Sequence, residues 1–291
     1  MTRIQTRIIP LFLIPAMLMI LVFTLAPALW AIYVSFTNLA LSGPNALNYT
    51  FTGLANYTRL FQDSEFYDSL SLTLLYTIFT NVGQFIIGMA VALLLSRRKF
   101  RGKTVVLAVI VLPMVIPGLI QAIIWSSMLA NGDFGTLNRI IGLVGLEPVS
   151  WTQAVPLLSV VLVNFWNNSG FAMILFLAGL ESIPSEILES AQIDGASGWS
   201  QLIYIKIPLI RFMILLWLLL NTIGCLGVFD LVYALTRGGP GSATELLGIY
   251  IYNQGFRYFE LGYGSAATLV LLVLSLALAY IYLRAMRVRL D

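Results

Sequence analysis

The chain contains no histidine and only one cysteine, Cys225. The missing histidine removes the side chain that proteins most often use as a general base, a metal ligand or a pH switch near neutrality. A single cysteine cannot form a disulfide framework or a cysteine-based metal site. We therefore predict no catalytic residues, no metal site and no cofactor bound within this chain.

Charged residues are also scarce, at 10% of the 291 residues, whereas hydrophobic residues make up 59% and the mean hydropathy is +0.91. Soluble domains carry about 25% charged residues, so a chain this apolar requires lipid as its solvent. A net charge of +3 is too small to indicate a nucleic-acid partner. The composition predicts a membrane protein.

Long apolar runs are abundant. A membrane-spanning helix needs about 20 mostly apolar residues. About six runs qualify: 8–34, 70–96, 104–130, 154–180, 203–233 and 264–286. The first is too long for a signal-peptide core and lacks a small-residue cleavage site, so we expect a retained helix. The predicted fold class is an all-α polytopic membrane protein with about six transmembrane helices in one transmembrane domain, 1–291.

The basic residues between these runs predict the orientation of the chain. Four fall on one side, at Arg59, Arg139, Arg237 and Arg257. The other twelve fall on the opposite side: Arg3, Arg7, Arg97, Arg98, Lys99, Arg101, Lys103, Lys206, Arg211, Arg284, Arg287 and Arg289. Because basic residues concentrate on the cytoplasmic side of a membrane, we expect both termini in the cytoplasm.

A polar-then-apolar insert, residues 183–208, separates the fourth and fifth runs. Pro184 suits the first position of a helix, and Ser182 suits a nearby N-cap. Asp194-Gly195 predicts the turn that ends this helix. Pro208 is expected to kink the apolar helix that follows. A short surface helix of this kind can lie in a groove of another protein, although it could also rest on lipid headgroups.

Residues 189–208 resemble the EAA signature of ABC importer membrane subunits, Glu-Ala-Ala-x2-Asp-Gly-Ala-x5-Phe-x2-Ile-x-Leu-Pro. The matching residues are Glu189, Ala191, Asp194, Gly195, Ala196, Ile205 and Pro208, and the mild departures are Ser190, Leu202 and Ile207. Further motifs are similar to the carbohydrate-uptake branch of this family, which includes maltose, trehalose and glycerol-phosphate permeases. They are Leu180-x2-Ile183-Pro184, Phe51-x-Gly53-Leu54-x-Asn56-Tyr57 and Leu235-Thr236-x-Gly238-Gly239-Pro240-Gly241-x2-Thr244-Glu245.

The resemblance implies a type I ABC importer fold in the bacterial plasma (inner) membrane, moving a sugar or sugar-like solute into the cytoplasm by alternating access. In that family the insert carries a cytoplasmic coupling helix that sits in a cleft of a separate ATPase. The ATPase-coupling residues implied are Glu189, Ala191, Asp194, Gly195 and Ala196. The implied partners are a second homologous permease, two ATPase subunits that hold ATP and magnesium, an external substrate-binding protein and membrane lipid.

Gly102-Lys103-Thr104 imitates the end of a phosphate-binding loop. That loop needs a glycine five residues before Gly102, where this chain has Arg97. The basic run also joins two apolar runs rather than a strand and a helix. We therefore interpret it as a topology determinant and expect ATP to be hydrolysed on another chain.

Polar residues within the runs are candidates for a substrate pathway, because polar groups in a membrane are expensive and often functional. Sugars are bound by amide hydrogen bonds and by stacking on aromatic rings. The candidates with that chemistry are Asn164, Asn167, Asn168 and Phe171 on the fourth run, Asn81 and Gln84 on the second, and Gln121 and Trp125 on the third. Hydrogen bonding between helices is the alternative role for the same residues.

Three further questions stay open from the sequence. An ion-coupled secondary transporter or a membrane-embedded enzyme is a weaker alternative, since buried acidic residues are few and histidine is missing. The solute could be a disaccharide, a longer glucan, a glycosylated osmolyte or glycerol phosphate. The Gly238–Gly241 segment predicts a tight outer turn, or else a contact with an external binding protein.

Overall fold

The computed structural model of this chain describes residues 14–97 and 102–287, with side chains as far as 286. Within these ranges the chain is mainly helical, and its extended pairing is one antiparallel bridge between Thr37 and Phe51. In chain order the helices are α1 (Ile14–Ser35), α2 (Ala55–Leu60), α3 (Ser64–Leu95), α4 (Lys103–Val115), α5 (Gly118–Met128), α6 (Thr136–Gly142), α7 (Trp151–Ala154), α8 (Pro156–Glu181), α9 (Ser185–Ile193), α10 (Gly198–Leu209), α11 (Arg211–Leu226), α12 (Asp230–Thr236), α13 (Leu247–Tyr252) and α14 (Leu261–Arg287).

Part of the orientation argument lies outside the described residues. These positions are Arg3, Arg7, Arg98, Lys99, Arg101 and Arg289, together with the beginning of the first apolar run at Ile8.

Four helices in the described ranges are long and apolar enough to cross a membrane: α1, α3, α8 and α14. Two helix pairs meet the same test together but are bent, α4 with α5 by 107° and α10 with α11 by 70°. Counting each bent pair as one span gives up to six, at the places where the sequence has its six apolar runs. The predicted all-α polytopic fold is confirmed.

The break between α4 and α5 has a local cause in the sequence. Ile116 is extended, with φ −80° and ψ 124°, and Pro117 follows it. The proline ring disfavours helical backbone at the preceding residue and cannot donate a main-chain hydrogen bond. Pro113 is tolerated inside α4. Of the two prolines in this run, Pro117 marks the break.

The bend between α10 and α11 falls at Ile210, two residues after the predicted kink at Pro208. Before the proline, Leu202–Lys206 widens into a π-helical turn. Such turns accommodate places where the regular main-chain ladder is interrupted. Pro208 therefore perturbs the helix on its N-terminal side, while the change of direction occurs at a buried isoleucine.

The chain forms two compact units, and the first contains the residues up to Phe66 and Tyr250–Val273. In this unit the loop after α1 is pinned by two main-chain hydrogen bonds, Leu41 N to Phe259 O and Gly262 N to Leu39 O, both of 2.8 Å. Gly262 is needed there, because a Cβ atom would lie 2.1 Å from the carbonyl oxygen of Thr37.

Asp63 organises the polar part of the first unit. Its Oδ2 atom accepts hydrogen bonds from the hydroxyls of Tyr250 (2.6 Å) and Tyr263 (2.8 Å), and its Oδ1 atom accepts one from the backbone N–H of Glu65 (2.9 Å). Burial alone would raise the pKa of the Asp63 carboxyl, but these hydrogen bonds, with one from the Phe66 backbone, outweigh it and lower the pKa. Asp63 thereby caps the start of α3.

The second unit contains Tyr67–Ile249 and the residues from Leu274 onward. Its main core joins α3, α8 and α11 around Phe85, Phe176 and Trp217, whose ring centroids are 5.3 to 6.2 Å apart. Helices α4 and α8 approach closely at Gly170, where a Cβ atom would lie 2.5 Å from the carbonyl oxygen of Ile110. Small residues allow such close approach between membrane helices.

Burial differs sharply among the apolar helices. In the most apolar window, 56% of the residues of α8 are buried, compared with 6% for α1 and 11% for α14. Exposed leucine, isoleucine and phenylalanine side chains on α1 and α14 are compatible with lipid and incompatible with water. Within the second unit, α8 is the central helix.

Candidate functional site

Helix α9 is the short surface helix that the insert predicts, but its first turn differs from the prediction. Pro184 occupies the N-cap position with extended backbone, and no side chain caps the helix. Ser182 instead closes α8, and its hydroxyl donates to the carbonyl of Gly179 at 2.7 Å. The predicted N-cap at Ser182 was wrong, because two residues, Ile183 and Pro184, separate it from the first helical residue.

The C-terminal end of α9 is a Schellman turn centred on Gly195. Its φ is +80°, a left-handed conformation that favours glycine. The N–H of Ala196 donates to the carbonyl of Ala191 at 2.9 Å, and the N–H of Gly195 donates to Gln192 at 3.1 Å. This is the pattern expected when glycine follows the last residue of a helix, and the predicted Asp194-Gly195 turn is confirmed.

The five predicted coupling residues lie at or near the surface. Glu189, Asp194 and Gly195 are exposed, whereas Ala191 and Ala196 are half-buried. The Glu189 carboxylate has no partner within the described part of the chain. It is therefore available to a group on another molecule, and its predicted role in coupling stays a prediction.

Large apolar side chains surround α9 and face outward. Ile193, Trp199 and Tyr204 are 87%, 72% and 77% exposed. Sequence reasoning missed this surface, because the spacing of apolar residues does not show which side is covered. Exposed apolar patches of this kind mark interfaces.

Polar contacts lie on both sides of α9 along the chain. Buried Gln201 donates its Nε2 to the carbonyl of Ala196 at 3.0 Å, directly after the Schellman turn. Ser197 caps α10 by accepting from the N–H of Ser200 at 3.2 Å. Lys103, at the start of α4, forms an ion pair with Glu181, the last residue of α8. Lys103 belongs to the Gly102-Lys103-Thr104 sequence that imitates the end of a phosphate-binding loop, and in the structure its partner is a carboxylate.

The buried candidate Asn164 lies in a hydrogen-bonded cluster between α3 and α8. Gln84 Nε2 donates to Asn164 Oδ1 at 2.6 Å and to its carbonyl at 3.0 Å. Asn164 Nδ2 donates to the hydroxyl of Tyr76, and Asn168 Nδ2 donates to Asn164 Oδ1 at 3.3 Å. Tyr76 was missed by sequence reasoning, since 88 residues separate it from Asn164.

A second cluster sits at the break between α4 and α5. The buried amide of Gln121 donates to the carbonyl of Ile116 at 2.6 Å and to that of Pro113 at 3.1 Å. The same nitrogen also lies 2.8 Å from Asn167 Oδ1, so one of its two hydrogens is shared between two acceptors. Carbonyls freed by a broken helix need such partners in the membrane interior. Gln121 therefore supports the break and joins it to α8.

A third cluster brings α3 and α11 together. Asn221 Nδ2 donates to Asn81 Oδ1 at 2.7 Å, and Asn81 Nδ2 donates to the hydroxyl of Thr222 at 3.1 Å. The Thr222 hydroxyl lies 3.3 Å from that of Tyr282.

The two aromatic candidates occupy different environments. Phe171 is half-buried and packs against the main core of the second unit. Trp125 is buried, and its ring meets that of Trp166 edge to face with centroids 5.8 Å apart.

All eight pathway candidates thus lie in the second unit, but they form separate groups rather than one continuous surface. Many of the amide groups of these residues form hydrogen bonds between helices, which is the alternative to a role in a substrate pathway. Five side-chain atoms of the set have no hydrogen-bond partner within the described ranges. Gln84 Oε1, Gln121 Oε1 and Trp125 Nε1 are buried, whereas Asn167 Nδ2 and Asn168 Oδ1 belong to half-buried side chains and are the more accessible. A pathway role stays a prediction for the whole set.

The Gly238–Gly241 segment is a tight turn, as predicted. Gly238 and Gly241 both have positive φ, and the N–H of Thr244 donates to the carbonyl of Gly238 at 3.0 Å. The Thr244 hydroxyl also donates to the carbonyl of Gly239 at 3.0 Å.

Apolar spanning helices, separated at α9 by an exposed helix that ends at a glycine, define a polytopic membrane protein. Residues 84–288 match the family described as binding-protein-dependent transport system inner membrane component. The chain belongs to this family and is a transmembrane permease subunit of an ABC importer.

Relatives support the same assignment over nearly the whole chain. A trehalose/maltose transport system permease protein, MalF, of Thermococcus litoralis is 32% identical over 283 residues, covering 97% of this chain and 94% of the relative. An sn-glycerol-3-phosphate transport system permease protein, UgpA, of Brucella suis is 33% identical, covering 91% of this chain and 90% of the relative.

The fold also matches a solved structure. A chain of a bacterial ABC transporter involved in import of the acidic polysaccharide alginate superposes with a TM-score of 0.82 at 24% identity, covering 99% of this chain and 97% of that chain. The fold is therefore that of a type I ABC importer permease, as the sequence resemblance implied.

Proposed function

We propose that this permease imports a neutral sugar or sugar-like solute, driven by ATP hydrolysis on a separate chain. The observation that carries the proposal is α9 itself: an exposed helix closed by a Schellman turn at Gly195, with the unpaired Glu189 carboxylate on its surface. Such a helix has the shape to enter a cleft of a motor subunit. ATPase closure would then switch the permease between inward-facing and outward-facing states.

The proposed assembly follows from the size of the chain and its resemblance to the family. One subunit supplies up to six spans, so a second homologous permease would complete the pathway. Two ATPase subunits would hold ATP and magnesium, and an external binding protein would deliver the solute. The charge asymmetry of the sequence supports placing α9 and both termini in the cytoplasm.

The chemistry of the cargo is supported by the polar groups of the second unit. The clusters around Asn81, Gln121 and Asn164 are made of amides and hydroxyls, which recognise sugar hydroxyls without charge. Asn167 and Asn168 have free hydrogen-bonding capacity, so we propose these two as the members of the set that contact solute. A relative named for trehalose and maltose transport supports the same class.

Glycerol phosphate is the second candidate, because another relative is named for its transport. The two candidates are separated by uptake into vesicles containing the assembled transporter, using labelled trehalose, maltose and glycerol 3-phosphate. Saturable uptake of glycerol 3-phosphate without uptake of either sugar would replace the leading candidate. Asn168→Ala should raise the KM for the sugar while lowering the Tm only slightly, because the one hydrogen bond that it removes, to Asn164 Oδ1, is long at 3.3 Å.

Coupling is tested by co-purification with the candidate ATPase. Glu189→Lys should abolish co-elution and transport, because it replaces the unpaired Glu189 carboxylate with a positive charge. Glu147→Lys is a matched control, since Glu147 is also exposed but lies in a segment predicted on the opposite side of the membrane. The coupling proposal fails if Glu189→Lys co-elutes and transports like the wild type, or if both variants lose co-elution equally.

A further inference from the structure

A cavity of about 510 Å³ lies beside α9 in the second unit. Its walls come from the C-terminal end of α3, the end of α8, the inner side of α9 and the first turns of α10. It is separate from the exposed apolar residues Ile193, Trp199 and Tyr204, which do not line it.

Two cations line this cavity without a counter-charge. Arg97 and Lys206 both contribute to the wall, and no acidic residue does among those that the structure describes. Neither cation forms an ion pair within the part of the chain that the structure describes. Two like charges that line one cavity repel each other, and the repulsion is relieved by a bound anion.

The remaining wall indicates what kind of anion fits. Leu93, Leu188 and Leu202 line the same cavity, so the anion should carry an apolar part. Arg97 comes two residues after the end of α3, a spanning helix, and therefore lies near the level at which lipid headgroups meet water. Basic clusters directly cytoplasmic of a spanning helix are typical sites for anionic lipids.

We propose that this cavity binds an anionic phospholipid, with its headgroup phosphate between Arg97 and Lys206 and an acyl chain along Leu93 and Leu202. Gln192 extends the site onto α9, because its side-chain amide lines the cavity and has no hydrogen-bond partner among the described residues. The bound lipid would bridge α3, α9 and α10, and would thereby help to hold the docking helix in place.

Binding is measured on the full-length permease alone, so the result does not depend on its cargo or its ATPase. The detergent-solubilised chain is titrated with phosphatidylglycerol and with phosphatidylcholine and followed by native mass spectrometry. The wild type should retain phosphatidylglycerol in preference to phosphatidylcholine. Each cation near an anionic headgroup contributes about fivefold in affinity, so Arg97→Gln with Lys206→Gln should weaken phosphatidylglycerol binding roughly 30-fold.

Two matched variants complete the experiment. Arg97→Lys with Lys206→Arg keeps both charges and should retain binding. Arg237→Gln with Arg257→Gln removes the same charge from exposed positions outside the cavity and should bind like the wild type.

Three outcomes would overturn the proposal. One is equal phosphatidylglycerol binding by the wild type and the Arg97→Gln, Lys206→Gln variant. Another is full competition by millimolar inorganic phosphate, which would make the cavity a site for a free anion. The third, read from a separate co-purification with the ATPase, is unchanged lipid binding with loss of ATPase association in the double variant, which would assign the two cations to a protein partner.

Discussion

Substitutions at Gly195 provide a graded test of the proposal that α9 docks on the ATPase. Nothing lies within 4 Å of a Cβ atom placed on Gly195, so a new side chain would meet no neighbour. The cost is therefore conformational, about 1–2 kcal/mol for a non-glycine residue in left-handed backbone. The two hydrogen bonds of the turn contribute about 0.5–1.5 kcal/mol each. Because the cost and the stabilisation are similar, Gly195→Ala should leave the turn only partly ordered.

The expected order of affinity for the ATPase partner is wild type, then Gly195→Asn, Gly195→Ala and Gly195→Val. Asparagine tolerates left-handed backbone best and a β-branched residue tolerates it worst. A cost of 1–2 kcal/mol predicts a loss of about 5-fold to 30-fold for Gly195→Ala. The assay is the Kd between the permease in nanodiscs and the purified ATPase.

Gly198 is the matched control for this series, because it also has open space around its Cβ position but no positive φ. Gly198→Ala should bind like the wild type. The reasoning is refuted if the Gly195 variants all bind equally well, or if Gly198→Ala loses as much affinity as Gly195→Ala.

Three further predictions concern stability. Gln121→Leu should lower the free energy of unfolding by about 1–3 kcal/mol, because it leaves carbonyls at the α4–α5 break unpaired. The measurement is a denaturant titration in detergent, with Ser126→Ala as the control, and equal stability of the two variants would contradict the prediction. Gly170→Leu should lower the free energy of unfolding by about 1–3 kcal/mol, because the carbonyl oxygen of Ile110 lies 2.5 Å from the Cβ position. Gly224→Ala is the control, since no atom lies within 4 Å of the Cβ position there. Equal Tm values of the two variants would contradict this reasoning. Because its folded pKa is lowered, Asp63 stabilises the chain above its unfolded pKa, and this is lost as the pH falls below about 3.9 through the folded pKa. The stability gap between the wild type and Asp63→Asn should therefore shrink in acid, and a constant gap from pH 7 to pH 3 would contradict this.

The sequence predicted features that depend on local chemistry. The long apolar runs predicted the spans, because only helices and closed barrels satisfy backbone groups in lipid. Asp194-Gly195 predicted the end of α9, since a helix terminated by glycine is a local event. The Ser182 N-cap failed for a related reason: Ser182 and Pro184 are two possible cap positions, and the sequence does not show which helix Ser182 serves.

Long-range pairing could not be predicted in the same way. Lys103 and Glu181 are 78 residues apart, and Asn164 and Tyr76 are 88 apart. The polar stripes showed which side chains need partners but not which helix supplies them. The free capacity of Asn167 and Asn168 becomes visible only when the bonds of Gln121 and Asn164 are known.

Under the coupling proposal, the bend at Ile210 would make α10 a lever between α9 and α11. Helix α10 has the length of 12 residues, so it forms an arm about 18 Å long. Ile210 is buried, and Gly179 leaves room for it, since a Cβ atom there would lie 3.0 Å from Ile210 Cβ. Because Ile210 is packed at this junction, α10 and α11 have little room to move independently of each other. A displacement of about 3 Å at its tip corresponds to a rotation of about 10° for an arm of that length, and α11 begins at the pivot. Small movements of a motor subunit would therefore reach the membrane as a tilt rather than a slide.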